Sequence, residues 1–148
     1  MSTIPNQQLA NTHAFFDTLN AQNLNAFADL LALNLKHEYF PATFAPADGQ
    51  AKRDKEGLLR LIKDDCQRDL NGQPVVIDWT LEFSPPLDII QGVDAVVFYV
   101  KGTGMSKWGK PYNNEYIFTF RFEAEKICGI REFVDSKYAA EYFAGAHP

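Results

Sequence analysis

The first half of the chain carries apolar side chains at helical spacing. Helices are predicted over residues 6–20, 24–34 and 54–70. The apolar side of the first helix is formed by Leu9, Thr12, Phe16 and Leu19. Asn23 is placed to cap the second helix and Asp54 begins the third. Between these two helices, residues 35–40 (LKHEYF) are predicted to be extended up to Pro41, and residues 47–53 to form a loop.

The second half of the chain changes to a period of two, which is typical of strands. Strands are predicted over residues 75–83, 93–104, 109–122 and 126–134. Residues 84–92 (SPPLDIIQG) are interpreted as a turn-rich connection between the first two of these strands. A short C-terminal helix begins at Asp135 and Ser136, and capping is the predicted role of Asp135.

The order of the elements, helices first and then an antiparallel meander, is typical of α+β folds. The chain has 148 residues, which suits a single domain spanning residues 1–148. We therefore expect a cone-shaped roll. In it, a curved antiparallel or mixed sheet wraps around three N-terminal helices, and a short C-terminal helix follows.

The strand in GKPYNNEYIFTFRF, residues 109–122, has one aromatic face that becomes polar at its start. That face is formed by Tyr112, Asn114, Tyr116, Phe118, Phe120 and Phe122. We expect the phenylalanines to face the helices and fill the narrow part of the cone. The two phenols and the amide would then lie nearer its mouth, where polar tips can meet a ligand.

The amino-acid composition favours an apolar ligand over a nucleic acid. The 12 Phe and 6 Tyr residues can fill a core or line a pocket for a flat, apolar molecule. The net charge of −5 argues against nucleic-acid binding, which needs a basic surface. The one short basic run, Lys52, Arg53 and Lys55, is interpreted as a solvated loop or helix start.

The two cysteines, Cys66 and Cys128, do not form a disulfide framework or a metal site, and both are predicted to be buried free thiols. No stretch has the length of a membrane span, and no signal peptide is visible at the N-terminus. We therefore expect a cytoplasmic protein that binds neither membrane nor metal.

Glu132 and His37 are the strongest candidates for acid–base chemistry. Glu132 shares a strand face with Cys128, Ile130 and Val134, so its carboxyl group is predicted to point inward. An apolar environment disfavours the charged form of a carboxyl group, which suits it for proton transfer near neutral pH. His37 shares a face with Tyr39 and is a candidate acid, base or orienting donor. A solvated Glu132 and a purely structural His37 are the competing interpretations.

Phenols can stabilise a developing oxyanion by hydrogen bonding, so Tyr112 and Tyr116 are candidates for that role. As core residues they would need only a partner for each hydroxyl group. Trp79 and Phe83 are predicted to form pocket wall rather than to take part in chemistry.

Three stretches, HEYFPATF, GKPYNNEYIFTFRF and KICGIREFVDSKYAAEYF, together with the element order, resemble the nuclear transport factor 2-like superfamily. Within it the chain is most similar to SnoaL-like enzymes, and to small fungal isomerases of natural-product pathways. The resemblance implies a cone-shaped fold, dimerisation through the sheet and no cofactor. It also implies that His37, Tyr112, Tyr116 and Glu132 occupy pocket positions. Some relatives carry arginine where this chain has His37.

The resulting functional hypothesis is a cofactor-independent isomerase or rearrangement enzyme for a hydrophobic, polycyclic, oxygenated secondary metabolite. The predicted catalytic residues are Glu132, His37, Tyr112 and Tyr116. The predicted substrate-binding residues are Trp79, Asn114, Tyr39, Phe83 and Phe118. Two alternatives remain open: a hydratase, dehydratase or hydrolase on the same scaffold, and a non-catalytic dimer that binds a small ligand.

Overall fold

The computed structural model describes residues 4–44, 51–65, 81–106 and 109–144. The helices are α1 (Ile4–Asn20), α2 (Leu24–Asp29), α3 (Lys55–Arg60) and α4 (Ser136–Ala144). The strands are β1 (Leu31–Phe40), β2 (Lys52–Arg53), β3 (Glu82–Phe83), β4 (Asp88–Gly92), β5 (Ala95–Met105), β6 (Pro111–Glu123) and β7 (Lys126–Val134).

The described strands form one mixed sheet in the order β2-β1-β7-β6-β5-β3, and β4 also pairs with β5. The first long strand, β1, runs parallel to the last, β7, whereas the other pairs are antiparallel. The predicted α+β class with a curved mixed sheet is confirmed.

The core lies between α1 and the concave face of the sheet. Phe15 of α1 packs edge-on against Phe120 of β6, and Phe16 stacks on Phe98 of β5. The side chains of β6 alternate strictly between buried and exposed up to Phe118. The prediction that the aromatic face of this strand points at the helices is therefore confirmed.

The prediction of a helix over residues 24–34 is correct only at its start. Asn23 caps α2, since its Oδ1 accepts a hydrogen bond from Ala26 N at 3.1 Å. The helix ends at Asp29, and β1 begins at Leu31, which lies beside Ile127 of β7. The apolar residues after Asp29 fit either a helix or a strand, so tertiary pairing rather than local preference decides the boundary.

The third helix begins where it is predicted to begin, and its described part runs to Asp65. Gly57 N donates to Asp54 Oδ1 at 2.8 Å, which confirms Asp54 as the start. After Arg60 the chain continues as a π-helical turn, Leu61–Asp65. The rest of the predicted helix, including Cys66, lies outside the described residues.

Two predicted loops contain strands. Residues 84–92 were predicted to be a connection, but Asp88–Gly92 forms β4. Among the described strands this one pairs only with β5, and it is exposed along its whole length, so the sequence shows no alternation of apolar and polar positions there. In the other loop, Lys52–Arg53 forms β2, and Arg53 is only 7% exposed. The prediction of a solvated basic run is thus wrong for Arg53, which pairs with His37 of β1.

The final hairpin and helix follow the prediction closely, apart from one bulge. The register of β7 shifts next to β6, so Ile127 is fully buried and Cys128 is partly exposed. The prediction that Cys128 is a buried thiol is therefore wrong. Asp135 accepts a hydrogen bond from Tyr138 N at 3.0 Å, which confirms that it caps α4. Among the described helices, none is both long and apolar enough to cross a membrane.

Candidate active site

A cavity of about 120 Å³ lies between the helices and the concave face of the sheet. Its described lining is mainly apolar, with a carboxyl group, an imidazole and a phenol as the polar members. The lining residues are Phe15, Leu19, His37, Tyr39, Leu58, Leu61, Ile62, Leu81, Phe83, Phe118 and Glu132. Such a cavity suits a small apolar ligand that carries a few polar atoms.

Strand register places Glu132 on the concave face. Its Cα lies beside Tyr39 in the parallel pair with β1, and beside Phe118 in the antiparallel pair with β6. Its side chain is 15% exposed. The competing interpretation, a carboxylate in open solvent, is therefore excluded.

His37 lies next to this carboxyl group. His37 Nε2 is 3.1 Å from Glu132 Oε1, although the two residues are 95 positions apart in the chain. The imidazole is 1% exposed, and its ring meets the Tyr39 ring edge-on at 4.8 Å between centroids. Its other nitrogen, Nδ1, is buried and has no hydrogen-bond partner within the described residues.

The two phenols form a second polar group. The Tyr112 and Tyr116 hydroxyl groups share a hydrogen bond, and Asn114 Nδ2 donates to the Tyr112 oxygen at 3.0 Å. The same amide nitrogen lies 3.3 Å from the Asp135 carbonyl oxygen. Asn114 therefore holds Tyr112 in place.

Burial raises the pKa of both phenols further above neutral pH. It raises the pKa of Tyr112 to about 12, even though the hydrogen bonds from Tyr116 and Asn114 lower it. Burial likewise raises the pKa of Tyr116 well above its usual value, and the neighbouring Tyr112 adds to that rise. The charge of Glu132 raises the pKa of both tyrosines, which places its carboxylate within electrostatic range of them. Both groups can therefore act as hydrogen-bond donors.

Gly102 of β5 makes room for this arrangement. A Cβ atom at Gly102 would lie 2.7 Å from Tyr116 Cε2 and 3.2 Å from Leu81 Cδ1. It would also lie 3.4 Å from Phe83 Cε1. The Tyr116 ring can therefore lie against β5 only because residue 102 has no side chain. A glycine inside a strand is a sequence signal for such a close approach, and it was not used in predicting the site.

The structure separates the predicted site residues into two sets. Glu132, His37, Tyr39, Phe83 and Phe118 line the cavity. Tyr112, Asn114 and Tyr116 are buried beside it and are not part of the described lining.

Tyr116 contacts the cavity wall, because its ring packs against Phe83 at 5.4 Å and Phe118 at 5.7 Å. Trp79 lies outside the described residues.

Sequence reasoning missed several wall residues. Leu58, Leu61 and Ile62 line the cavity from α3 and its π-helical turn, whereas the helical spacing of this segment predicts a buried face that includes Leu59 and Ile62. Leucine at successive positions could not distinguish the two faces. Within the described ranges, no group of three or more His, Cys, Asp or Glu residues is arranged to hold a metal ion.

Solved structures share this fold over most of the chain. A nuclear transport factor 2-like protein of unknown function from Burkholderia pseudomallei has a TM-score of 0.75 at 13% identity, covering 98% of this chain and 100% of its own. A candidate SnoaL-like polyketide cyclase from Jannaschia sp. CCS1 has a TM-score of 0.74 at 16% identity, covering 100% and 98%. The BvnE pinacolase from Penicillium brevicompactum has a TM-score of 0.69 at 19% identity, covering 94% and 93%.

Neither a protein-family model nor a curated protein matches the sequence. The structural similarities show that the chain has the nuclear transport factor 2-like fold. The resemblance seen in the sequence is thus confirmed at the level of fold.

Proposed function

We propose that the protein is a cofactor-independent isomerase that acts by acid–base catalysis on a hydrophobic, oxygenated, polycyclic secondary metabolite. The observation that carries the proposal is the contact of 3.1 Å between His37 Nε2 and Glu132 Oε1 at the edge of an apolar cavity. A carboxyl group and an imidazole in hydrogen-bond contact can take a proton from one atom of a substrate and return it to another.

The apolar lining supports this chemistry in two ways. It binds a carbon skeleton by the hydrophobic effect, and a bound skeleton displaces water from the His37–Glu132 pair. Hydrogen bonds are stronger where the local dielectric constant is low. Proton transfer within such a cavity also keeps a reactive intermediate away from water.

The tyrosines would stabilise negative charge on a substrate oxygen. One of the two hydroxyl hydrogens lies in the bond between Tyr112 and Tyr116, and the other is not used in that bond. A phenol that donates a hydrogen bond to a developing enolate or alkoxide lowers the barrier to its formation. The raised pKa values of both tyrosines favour donation over ionisation at neutral pH.

The size of the cavity constrains how a substrate is held. An engineered apolar cavity of about 150 Å³ binds one benzene molecule. The volume of about 120 Å³ therefore suits a single ring, so one ring of a polycyclic substrate would occupy it. The names of the BvnE pinacolase and of the candidate polyketide cyclase, which share the fold, support rearrangement chemistry on oxygenated carbon skeletons.

A product analysis tests the reaction class. The protein is incubated with a panel of polycyclic hydroxyketones in H₂¹⁸O, and the products are examined by mass spectrometry and NMR. Isomerisation gives a product of unchanged mass without ¹⁸O at a non-exchanging position. Gain or loss of a water molecule would instead identify a hydratase or dehydratase, and binding without any product would identify a carrier.

We also propose that the chain forms a homodimer through the outer face of the sheet. A row of apolar side chains crosses four strands there, because Phe40 pairs with Phe133, Phe133 with Ile117, and Ile117 with Tyr99. Phe133 is 41% exposed and Ile117 is 46% exposed. Sedimentation equilibrium of the wild type and of Phe133→Lys tests this proposal, and a monomeric wild type would contradict it.

A further inference from the structure

The imidazole of His37 uses only one of its two nitrogens within the described part of the chain. Nε2 faces Glu132 Oε1, while Nδ1 is buried without a partner there. A buried polar atom without a hydrogen bond is destabilising, and such atoms are rare in native proteins. His37 also lines the cavity. The unpartnered atom therefore belongs to a side chain of the cavity wall.

The contact with Glu132 determines what Nδ1 can do. A carboxylate next to one ring nitrogen favours the tautomer in which that nitrogen carries the hydrogen. With hydrogen on Nε2, Nδ1 presents a lone pair and acts as a hydrogen-bond acceptor. The complementary ligand group is a donor, and a hydroxyl group is the donor that an oxygenated apolar skeleton can offer.

We propose that Nδ1 of His37 is the atom that contacts the substrate, as acceptor and then as base for a substrate hydroxyl group, and that Glu132 is a positioning residue for the imidazole. This inference rests on the proposed isomerase function. It assigns the role of base to His37 and the role of positioning residue to Glu132, which the contact between the two side chains alone does not decide. It also narrows the substrate class to molecules that carry a hydroxyl group on or beside the ring that enters the cavity.

The proton transfer balances without a co-reactant. The substrate O–H bond breaks, its electron pair stays on the oxygen, and an N–H bond forms at Nδ1. The resulting imidazolium is stabilised by Glu132 through Nε2. When the rearranged skeleton takes the proton back, the neutral imidazole is restored and the substrate has neither gained nor lost atoms.

The first test reads the tautomer directly. Long-range ¹H–¹⁵N NMR at pH 7.5 distinguishes a protonated from an unprotonated ring nitrogen. The His37 signals are assigned by their absence in His37→Asn, with His13→Asn as the matched control. The expected result is an unprotonated Nδ1 in the wild type. A hydrogen on Nδ1, in a neutral or a cationic ring, would overturn the proposal.

The second test uses phenol and toluene as probes, which are similar in size and differ in the hydroxyl group. Phenol should bind the wild type several-fold more tightly than toluene, and its binding should shift the Nδ1 resonance. In His37→Gln the side-chain amide lies at the position of Nε2, and no acceptor remains at the position of Nδ1. This variant should therefore lose the preference for phenol over toluene. In His37→Asn an amide oxygen lies near the position of Nδ1, so this variant should keep part of the preference for phenol.

Equal binding of the two probes, no binding of either, or an unchanged preference in His37→Gln would overturn the proposal. These measurements do not depend on turnover, so their failure leaves the proposed isomerase function standing. Conversely, full turnover in a Glu132→Gln variant would remove the proposed function without altering the tautomer measured in the wild type.

Discussion

The His37–Glu132 pair and the Tyr112–Tyr116 pair lie in the same sheet but are held in different ways. Adjacent parallel strands bring the first pair together at the cavity, and one buried nitrogen has no partner within the described residues. The second pair lies on a single strand, bonded internally and to Asn114, beside the cavity. An imidazole nitrogen without a partner can still accept a hydrogen bond from a ligand, whereas the two phenols are already bonded to each other and to Asn114, so we expect them to contribute less to the reaction.

The largest effect is expected from a substitution that breaks the His37–Glu132 pair. Glu132→Gln removes the charge that stabilises an imidazolium, and we expect turnover to fall by about 10²- to 10⁴-fold. The matched control is Glu125→Gln, which makes the same change at an exposed position in the turn after β6. Steady-state kinetics measure the loss, and circular dichroism verifies that both variants are folded. Equal rates for the two variants would contradict a role for Glu132.

The pH dependence of the free energy of unfolding tests the burial of the Tyr112–Tyr116 pair. An unfolded tyrosine ionises near pH 10, whereas the pKa of Tyr112 is raised to about 12 in the folded protein. Between these values the unfolded state holds fewer protons, so the free energy of unfolding falls as the pH rises. The shift of two units in Tyr112 contributes about 2–3 kcal/mol, present below pH 10 and lost by pH 12.

Urea unfolding of the wild type and of Tyr112→Phe from pH 8 to pH 11.5 measures this contribution. The decline should be smaller in Tyr112→Phe. Tyr99→Phe changes a tyrosine on the outer face of the sheet, and this variant should keep most of the decline in the free energy of unfolding. Parallel curves for the wild type and Tyr112→Phe would show that Tyr112 does not titrate as described.

Gly102→Ala tests how the phenols are placed. The new methyl group would overlap the Tyr116 ring, so the ring must move or the strands must separate. Overpacking of this kind costs about 1–3 kcal/mol of stability. Gly92→Ala is the matched control, since the nearest atom to its new Cβ would be 3.9 Å away. Thermal unfolding and near-ultraviolet circular dichroism report stability and tyrosine packing, and equal effects of the two substitutions would refute the close approach.

The smallest expected effect is that of Tyr116→Phe. Loss of a direct oxyanion donor costs about 10²- to 10³-fold in turnover. Tyr116 is bonded to Tyr112 and lies beside the cavity, so we expect a loss on the order of tenfold, below that range. The pKa of Tyr112 should also rise, because a hydrogen bond that lowers it is gone. Kinetics and ultraviolet titration of the variant measure the two effects.

Local signals in the sequence predicted much of the fold. Strand β7 and the caps at Asn23, Asp54 and Asp135 follow from period and cap chemistry within a few residues. The boundary between α2 and β1 could not be predicted, because pairing with Ile127 decides it.

The candidate site was likewise predictable only in part. Glu132 and His37 were each identified from the face they occupy, but their contact depends on parallel pairing between β1 and β7, which no local pattern reveals. The burial of Arg53 depends likewise on pairing with His37.

The parallel pairing of β1 with β7 also has a consequence for biosynthesis. The imidazole is translated early, whereas the carboxyl group it needs comes in the last strand. Contacts between such distant segments form late and slow the folding reaction. A nascent chain that has not yet released Lys126–Val134 from the ribosome therefore lacks the carboxyl group that contacts His37, and a protease that removes this strand eliminates the pair even if it leaves the helices intact.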